Sequence, residues 1–385
     1  MGYGTIENES DQKILDCVDR LKDRFISSVQ DLVRIDSVER EACDGAPFGT
    51  GVKHALEYAL DISGQLGFDT VNLDHYMGYA QYGVGEDYVC AIGHVDVVPA
   101  GEGWKQPPFN GYLENGIIYS RGVLDNKGPV MACLYGLAAI KEAGVSLKNP
   151  VRIIFGCDEE SGFEDLKYYL SKERPPLYGF TPDCKYPVVY SERGRAVVRI
   201  KASMVQLETF FDFVNKYFIG ARNTGDRLGI DFSHEEYGIM EMRGYKLSVA
   251  PDSRCGGKQA AFDATLSYPG GVTIEEIMNR ICTKAGAEGL KAELILNYDP
   301  VVFPKDTPMV KAMQESYELV TGQEGTPVTT TGGTYAKAMP GIVPFGPSFP
   351  GQKGISHNPN EWMSVEDLMT NAKIYALALY RLGQL

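Results

Sequence analysis

The sequence predicts an α/β protein whose mixed central sheet is flanked by helices and whose chain is interrupted by a small inserted α+β domain. Predicted strands alternate with predicted helices in the first half of the chain. Several acidic residues and histidines directly follow predicted strands, which is where open α/β sheets place their functional sites. Near Arg195 the pattern becomes strand-rich, and at 385 residues the chain is long enough for a second domain.

The first predicted element is an amphipathic helix. Its apolar residues recur at three- and four-residue steps from Ile14 to Leu32, and Ser10 and Asp11 are expected to cap its start. The same periodicity arguments predict strands over 70–82, 88–98 and 151–155, and helices over 51–66, 129–143 and 164–173.

The inserted domain is predicted over residues 194–301, and residues 1–193 and 302–385 form the main domain. Within the insert we expect strands over 196–200, 246–249, 260–268 and 294–296, and helices over 206–217 and 274–285. The last part of the main domain is predicted to contain a helix over 309–321, a Thr/Gly-rich loop over 329–334 and a final helix over 365–382.

Composition narrows the class of partner and the compartment. The formal net charge of −14 argues against nucleic acid or an anionic membrane as the main partner. No apolar run approaches the ~18 residues that a membrane span needs, and the N-terminus has no apolar stretch typical of a signal peptide. Eight scattered cysteines without a CxxC pair suit free thiols. We therefore expect a cytoplasmic protein.

Five short motifs carry the residues with chemical potential. They are GHVDVVP with His94 and Asp96, SRGVLDNKG with Asp125, FGCDEES with Glu159 and Glu160, TPDCKYP with Asp183, and GISHNP with His357. Two imidazoles and three carboxylates suit two divalent metal ions that share one carboxylate, and a further carboxylate suits a base that activates water. The first hypothesis is therefore a metal-dependent hydrolase.

Each motif by itself also has an ordinary structural interpretation. Acidic residues such as Glu159 and Glu160 favour the first turn of a helix. An aspartate before Asn-Lys-Gly suits a turn, and a late histidine suits an exposed loop. The order of the five motifs along the chain and their Gly- and Pro-rich flanks favour one shared site.

A family resemblance follows from the longer motifs GHVDVVPAGEGW, RGVLDNKGP, DEES, GFTPDCKYP, GGTYA and SHNPNEW. They resemble the two-zinc metallopeptidase family that includes carboxypeptidase G, aminoacylase, acetylornithine deacetylase and succinyl-diaminopimelate desuccinylase. GFTPD and TGDRLGIDFSHEEYG are most similar to the bacterial dipeptidases of the dipeptidase V type. The resemblance covers nearly the whole chain, and it implies a zinc-exopeptidase-like catalytic domain with an inserted lid.

The resemblance also implies a metal-binding role for five residues. His94 and Asp183 would bind one metal ion, and Glu160 and His357 would bind the other. Asp125 would bridge the two ions, and the peptide bond that follows it is expected to be cis. Zinc is the expected metal for mixed imidazole and carboxylate ligands, and manganese or cobalt would also fit.

Further roles are implied for residues around the metal ions. Glu159 would be the general base, and Asp96 would accept a hydrogen bond from the second imidazole nitrogen of His94. The GGTYA segment, with Gly332, Gly333 and Thr334, would bind the substrate carboxylate through its backbone.

The insert departs from the pattern of the family. No histidine follows its first predicted strand, where relatives carry a lid histidine that donates to the oxyanion, and the insert is shorter by several tens of residues. Ser267 stands where relatives tend to carry an arginine. The one histidine of the insert, His234, lies in an acidic segment and is interpreted as an exposed side chain.

The preferred function is a metal-dependent dipeptidase. An N-acyl amino acid deacylase and a metal- or peptide-binding pseudoenzyme are the alternatives, and the altered lid favours the latter. The intact Glu159 argues against a pure binding protein, because binding needs no base. A homodimer in which a neighbouring subunit completes the site is a further alternative.

Overall fold

The computed structural model describes residues 8–251 and 258–385, and the chain forms two compact units. The first unit ends at Tyr190 and resumes over Pro304–Val328 and Thr334–Leu385, and the second comprises Ser191–Phe303 and Thr329–Gly333. The boundaries predicted from the sequence lie at 193/194 and 301/302, and that prediction assigned residues 329–333 to the main domain, whereas here they belong to the second unit. Residues 1–7, which contributed to the prediction that the N-terminus has no signal peptide, lie outside the described residues, and so does Cys255.

The chain up to Glu192 contains five helices and nine strands among its described residues. In order they are α1 (Glu9–Arg20), α2 (Lys22–Val33), α3 (Thr50–Gln65), β1 (Asp69–Leu73), β2 (Met77–Tyr82), β3 (Val89–His94), β4 (Tyr112–Glu114), β5 (Ile117–Tyr119), α4 (Lys127–Glu142), β6 (Val151–Gly156), α5 (Glu164–Lys172), β7 (Tyr178–Thr181), β8 (Cys184–Lys185) and β9 (Val189–Glu192).

The second segment supplies most of the inserted unit. Its elements are β10 (Gly194–Ser203), α6 (Leu207–Val214), β11 (Ser233–His234), β12 (Gly238–Ile239), β13 (Glu241–Pro251), β14 (Lys258–Tyr268), α7 (Ile274–Ala287), β15 (Lys291–Tyr298) and β16 (Val301–Val302).

The last segment returns to the first unit and ends in a long helix. Its elements are α8 (Pro308–Thr321), β17 (Val328–Thr330), β18 (Ile342–Pro344), β19 (Pro347–Ser348), β20 (Trp362–Ser364) and α9 (Val365–Leu382). The predicted final helix over 365–382 has the same bounds as α9. Ser364 caps the start of this helix by accepting the N–H of Asp367.

The central sheet of the first unit is mixed, as predicted. Its strand order is β1-β2-β6-β3-β7-β18. β3 runs parallel to β6 and β7, and β18 runs parallel to β7, whereas β1 and β2 pair antiparallel. Because β6, β3 and β7 are adjacent and parallel, their carboxyl ends meet at one edge of the sheet.

Helix α4 is buried around its whole circumference and anchors the helices to the sheet. It packs against β3, β6, α1, α2 and α9. Its sequence, KGPVMACLYGLAAIKE, is apolar on all sides, which is typical of a helix in the interior. Gly136 lies against the backbone of α9, where an added Cβ would come within 3.0 Å of the Ala376 nitrogen.

The second unit is an α+β domain, as predicted. Its antiparallel sheet has the order β13-β14-β10-β15. Alternate residues of β10, including Val198 and Ile200, are buried in a core with Phe210 of α6 and Ile277 of α7. The period-two burial is expected of a sheet with one covered face.

Two predicted helices differ from the observed ones. The first is divided at Leu21 into α1 and α2, and its cap is Asn8, whose side chain accepts the N–H of Ser10. Ser10 and Asp11 therefore lie inside the first turn instead of capping it. The predicted helix over 206–217 is α6 followed by a π-helical turn, Asn215–Ile219. Within the described part of the chain, every helix is too short or too polar to cross a membrane.

Candidate functional site

Four of the sequence-predicted residues lie at the ends of three adjacent parallel strands. His94 is the last residue of β3, and Glu159 and Glu160 follow β6. Asp183 follows β7, the strand on the other side of β3. The sheet order alone therefore brings an imidazole and three carboxylates to one edge.

Asp125 reaches the same edge from the turn that precedes α4. The peptide bond between Asp125 and Asn126 is cis, as predicted. The Asn126 side chain donates to the Pro182 carbonyl at 2.6 Å and accepts the His94 N–H at 3.3 Å. It therefore links three of the segments that carry site residues.

His357 completes the cluster from the loop between β19 and β20. Its backbone φ is +62°, a left-handed conformation that is unusual for a residue other than glycine. Its side chain is about half exposed (52%), whereas the His94 side chain is fully buried (0%). The site thus has one enclosed and one open imidazole.

The five predicted ligands form two groups around Asp125. His94 Nε2 lies 3.2 Å from Asp125 Oδ1 and 3.7 Å from Asp183 Oδ2. His357 Nε2 lies 3.0 Å from Asp125 Oδ2 and 3.1 Å from Glu160 Oε1. Each oxygen of Asp125 therefore faces a different imidazole.

These spacings fit a pair of metal ions. Two donors that each lie ~2.0–2.1 Å from one tetrahedral ion are about 3.3 Å apart, close to the distances from the imidazoles to Asp125 and Glu160. The donors are nitrogen and carboxylate oxygen, which suit divalent zinc, manganese or cobalt. Asp125, with one oxygen in each group, has the arrangement of a bridging carboxylate.

The carboxylates of the cluster act electrostatically on both imidazoles. Hydrogen bonds to Asp125 and Glu160 raise the pKa of His357 to about 10. Burial alone would lower the pKa of His94, but the charge of Asp96 and the hydrogen bonds to Asp125 and Asp96 raise it well above its ordinary value. The acidic cluster thus attracts positive charge, which is the electrostatic requirement for binding cations.

Glu159 lies beside the first group. A donor atom of Glu159 and those of His94 and Asp183 lie within 4.8 Å of one another. Burial, followed by the charge of Asp183, raises the pKa of Glu159 well above its ordinary value. A carboxyl group in this position can exchange a proton with a molecule bound at the cluster.

Asp96 contacts His94 through its main-chain oxygen as well as through the side chain that the sequence indicated. The Nδ1 atom of His94 lies 3.0 Å from the Asp96 main-chain oxygen and 3.3 Å from its Oδ1. The other carboxylate oxygen accepts the Glu160 N–H at 3.1 Å. Asp96 therefore contacts the imidazole ring through two oxygens and also fixes the turn that carries Glu160.

Two pairs of residues around the site were not predicted from the sequence. Glu361 and Arg121 form a buried ion pair behind Asp125. Tyr335 donates to Asp165, whose carboxylate also accepts the N–H of Cys157 just before Glu159. Arg121, Glu361 and Tyr335 lie within the motifs RGVLDNKGP, SHNPNEW and GGTYA. The motifs therefore identified these positions, but the sequence did not indicate which side chains they contact.

The predicted substrate-binding segment is divided between the units. Gly332 and Gly333 belong to the second unit, and the Gly332 N–H donates to Thr330 Oγ1 at 3.3 Å. Thr334 belongs to the first unit, and its hydroxyl accepts the Ala336 N–H at 3.2 Å. Substrate binding by these residues stays a prediction.

Two positions of the second unit bear on the altered lid. Ser267 is buried in β14, and within the described residues its hydroxyl has no hydrogen-bond partner. His234 is exposed, as interpreted from the sequence, and it stacks on Tyr237 with ring centroids 4.4 Å apart. Its Nδ1 accepts the Glu236 N–H at 3.1 Å.

Comparison with known proteins gives matches that span the chain. A family model described as "Peptidase family M20/M25/M40" matches residues 90–381. A putative dipeptidase, YtjP, of Bacillus subtilis (strain 168) is 29% identical, and the alignment covers 95% of this chain and 98% of the relative. The alignment has 456 positions, whereas this chain has 385 residues. At least 71 positions of the alignment (456 less 385) are therefore gaps on the side of this chain.

Solved structures share the fold. Human carnosine dipeptidase 1 superposes with a TM-score of 0.73 and 16% identity, covering 98% of this chain and 100% of that one. Bacillus subtilis YXEP, described as a dinuclear metal-binding peptidase from the M20 family, gives a TM-score of 0.63 at 14% identity over 94% and 99% of the two chains. These likenesses confirm the predicted fold class.

Proposed function

We propose, because this chain belongs to peptidase family M20/M25/M40, that it is a metal-dependent dipeptidase whose site is the cluster around Asp125. The predicted family resemblance is thereby confirmed. The observation that carries the proposal is the bridging position of Asp125, with one oxygen 3.2 Å from His94 and the other 3.0 Å from His357.

Dipeptides are the preferred substrate class. The relative that is 29% identical over 95% of this chain is described as a putative dipeptidase, which supports this choice. A dipeptide presents one amide bond to the metal cluster, and its charged ends need partners of opposite charge. We propose the backbone of Gly332, Gly333 and Thr334 as the group that binds the substrate carboxylate.

The chain's own residues divide the work of hydrolysis. In the proposal His94 and Asp183 would hold one divalent ion, Glu160 and His357 would hold the other, and Asp125 would contact both. The chemistry that such ions would supply is polarisation of the scissile carbonyl and a lower pKa of the attacking water.

Glu159 is the proposed base. Its carboxylate takes a proton from the attacking water as the new C–O bond forms, and it gives a proton to the leaving nitrogen as the C–N bond breaks. Asp96 fixes the ring of His94 throughout, because it contacts the Nδ1 atom on the side away from Asp125. The products are two free amino acids.

Zinc is the proposed metal. Mixed imidazole and carboxylate donors are typical of zinc in hydrolases, and the same donors accept manganese or cobalt. We propose further that the protein acts in the cytoplasm, which the scattered cysteines of the sequence, without a CxxC pair, support. A homodimer in which a second subunit supplies the missing oxyanion donor is a further proposal, and sedimentation of the holoenzyme tests it.

The first experiment measures amino acid release from a panel of dipeptides and a panel of N-acyl amino acids, with zinc, manganese or cobalt added. We expect cleavage of dipeptides and its loss when a chelator removes the metal. Cleavage of N-acyl amino acids alone would identify a deacylase. Two bound metal ions per chain without any cleavage would favour the binding protein that buried Ser267 and the missing lid histidine suggest.

The Glu159→Ala variant tests the assignment of Glu159 as the base. We expect its metal content to stay nearly unchanged, because Glu159 is not one of the five proposed ligands, and its turnover to fall at least ~10²–10⁴-fold. Unchanged turnover would refute its assignment as the base. Loss of metal together with turnover would instead make it a ligand.

A further inference from the structure

A buried ion pair joins the segments that carry three of the site residues. Arg121 Nη1 lies 2.7 Å from Glu361 Oε2, and the two residues are 1% and 0% exposed. Arg121 lies four positions before Asp125, and Glu361 lies four positions after His357. Neither side chain has a role in the proposed proton transfers.

Glu361 holds the backbone that carries Asp125. Its Oε1 atom accepts the N–H of Leu124 at 2.9 Å and the N–H of Asp125 itself at 3.1 Å. Its main-chain oxygen accepts the Ser120 N–H at 3.1 Å. Both ends of the turn from Ser120 to Asp125 are therefore tied to one residue of the His357 loop.

Arg121 extends the connection to the segment after His94. Its Nη2 atom donates to the carbonyl of Ala100 at 3.2 Å, and Nη1 donates to the carbonyl of Asn358 at 3.4 Å. The guanidinium also lies over the Trp104 ring, 5.4 Å from its centroid. A guanidinium suits this position because its planar fork reaches several acceptors at once.

Overall stability is a weak explanation for this pair. Desolvation of two charges offsets most of their attraction, and apolar residues of similar volume often replace such a pair without loss of stability. Its contacts instead go to the backbone on either side of metal-binding residues. His357 is the half-exposed member of the cluster, so its position depends on the backbone that these contacts hold.

We propose that Arg121 and Glu361 are positioning residues that hold Asp125 and His357 at the spacing required to bind the metal ion assigned to Glu160 and His357. The inference rests on the proposed metal site but not on the identity of the substrate. Hydrogen-bond partners behind metal ligands typically contribute 10–100-fold to metal affinity. We assign an effect of that size to this pair.

The test measures Zn²⁺ binding to the metal-free full chain by competition with a chromophoric chelator, for the wild type and for Glu361→Gln. The substitution keeps the shape of the side chain but turns an amide donor towards the Arg121 guanidinium. We expect the weaker of the two zinc dissociation constants to rise about 10–100-fold. The visible spectrum of the Co²⁺ form should change with it, because the spectrum reports ligand geometry.

The ion pair between Arg152 and Glu173 supplies a matched control. Arg152 Nη1 lies 2.8 Å from Glu173 Oε2, and Arg152 is the second residue of β6, at the end of the strand opposite to the site. Glu173→Gln should lower the free energy of unfolding without changing either zinc dissociation constant. Arg121→Lys is a second test variant, because it keeps the charge and removes the fork.

The outcomes separate this inference from the proposed function. A wild type that binds no zinc would overturn the proposed metal site, and this inference with it. Two tight zinc sites in the wild type and equally tight sites in Glu361→Gln and Arg121→Lys would overturn the positioning role alone. An equal loss of affinity in Glu173→Gln would show that general destabilisation is the cause, which also contradicts it.

Discussion

The carboxylate of Asp165 is fully buried beside the turn that carries Glu159 and Glu160. It accepts the N–H groups of Cys157 and Asp158 at 2.7 and 3.0 Å and the hydroxyl of Tyr335. The Tyr335 ring also lies edge-on to His94, with ring centroids 6.5 Å apart. The hydrogen bonds to Asp165 therefore connect the GGTYA segment, which contains Tyr335, to the DEES segment, which contains Asp158.

Burial raises the pKa of Asp165 to about 6, and the Tyr335 hydrogen bond opposes that rise. Because the pKa is raised above the model-peptide value of ~3.9, the contribution of Asp165 to stability is highest below about pH 4 and falls as the pH rises to about 6. Above that range the contribution is constant, and the folded protein contains a buried carboxylate that needs its donors.

Tyr335→Phe should therefore destabilise the protein more at pH 8 than at pH 5. At pH 8 the variant loses a hydrogen bond to a buried anion, worth about 1.5–3 kcal/mol, whereas at pH 5 most of the carboxyl groups are protonated. Denaturant unfolding of both proteins at the two pH values measures the difference. An equal loss at both would contradict an ionised Asp165 as the acceptor.

At the scale of elements, helix α4, which follows Asp125 in the chain, packs against helix α9. α4 begins two residues after Asp125, and α9 begins four residues after Glu361. Gly136 allows the two helix backbones to approach, since an added Cβ would lie 3.0 Å from the Ala376 nitrogen and 3.2 Å from the Ala372 oxygen. These neighbours are backbone atoms, which cannot move aside cheaply.

Gly136→Val should lower the free energy of unfolding by about 1–3 kcal/mol or more, because the branched side chain overpacks the contact. Thermal or denaturant unfolding measures it. Gly64→Ala in α3 is the control, because Gly64 faces open space near the end of its helix and the change should be neutral or slightly stabilising. A neutral Gly136→Val would show that the helices can separate without cost.

At the scale of the whole molecule, the proposed metal site belongs to one unit. All five proposed ligands lie in the first unit, and none lies in Ser191–Phe303 or Thr329–Gly333. A ligand that binds only the folded state stabilises the part of the protein that contains its site. Metal binding should therefore act on the two units unequally.

Removal of metal should lower the unfolding temperature of the first unit. At a free zinc concentration of 100 times the dissociation constant, one site contributes ~2.7 kcal/mol, which corresponds to a shift of about 5–10 °C for a unit of this size. Calorimetry of the chelator-treated and zinc-loaded protein measures the shift, and Asp125→Asn should abolish most of it. An identical shift of every unfolding transition would contradict a site confined to the first unit.

Local patterns in the sequence determined the elements and the chemical inventory. Apolar runs ending in Gly93-His94 and Cys157-Asp158 identified buried strands, and the residues after them identified an acidic and histidine-rich site. The family motifs extended this to the cis peptide after Asp125 and to membership of a metallopeptidase family, both of which are confirmed. These features are local in the chain, so periodicity and short motifs suffice to find them.

Only the tertiary structure decided which side chains meet. Tyr335 and Asp165 are 170 residues apart, and the atoms of Arg121 and Glu361 that pair belong to residues 240 apart. Such contacts depend on the order of strands in the sheet and on loop closure, which residue spacing along the chain does not encode. The sequence therefore specified the candidate donors, and the fold specified that Asp125 lies between two imidazoles.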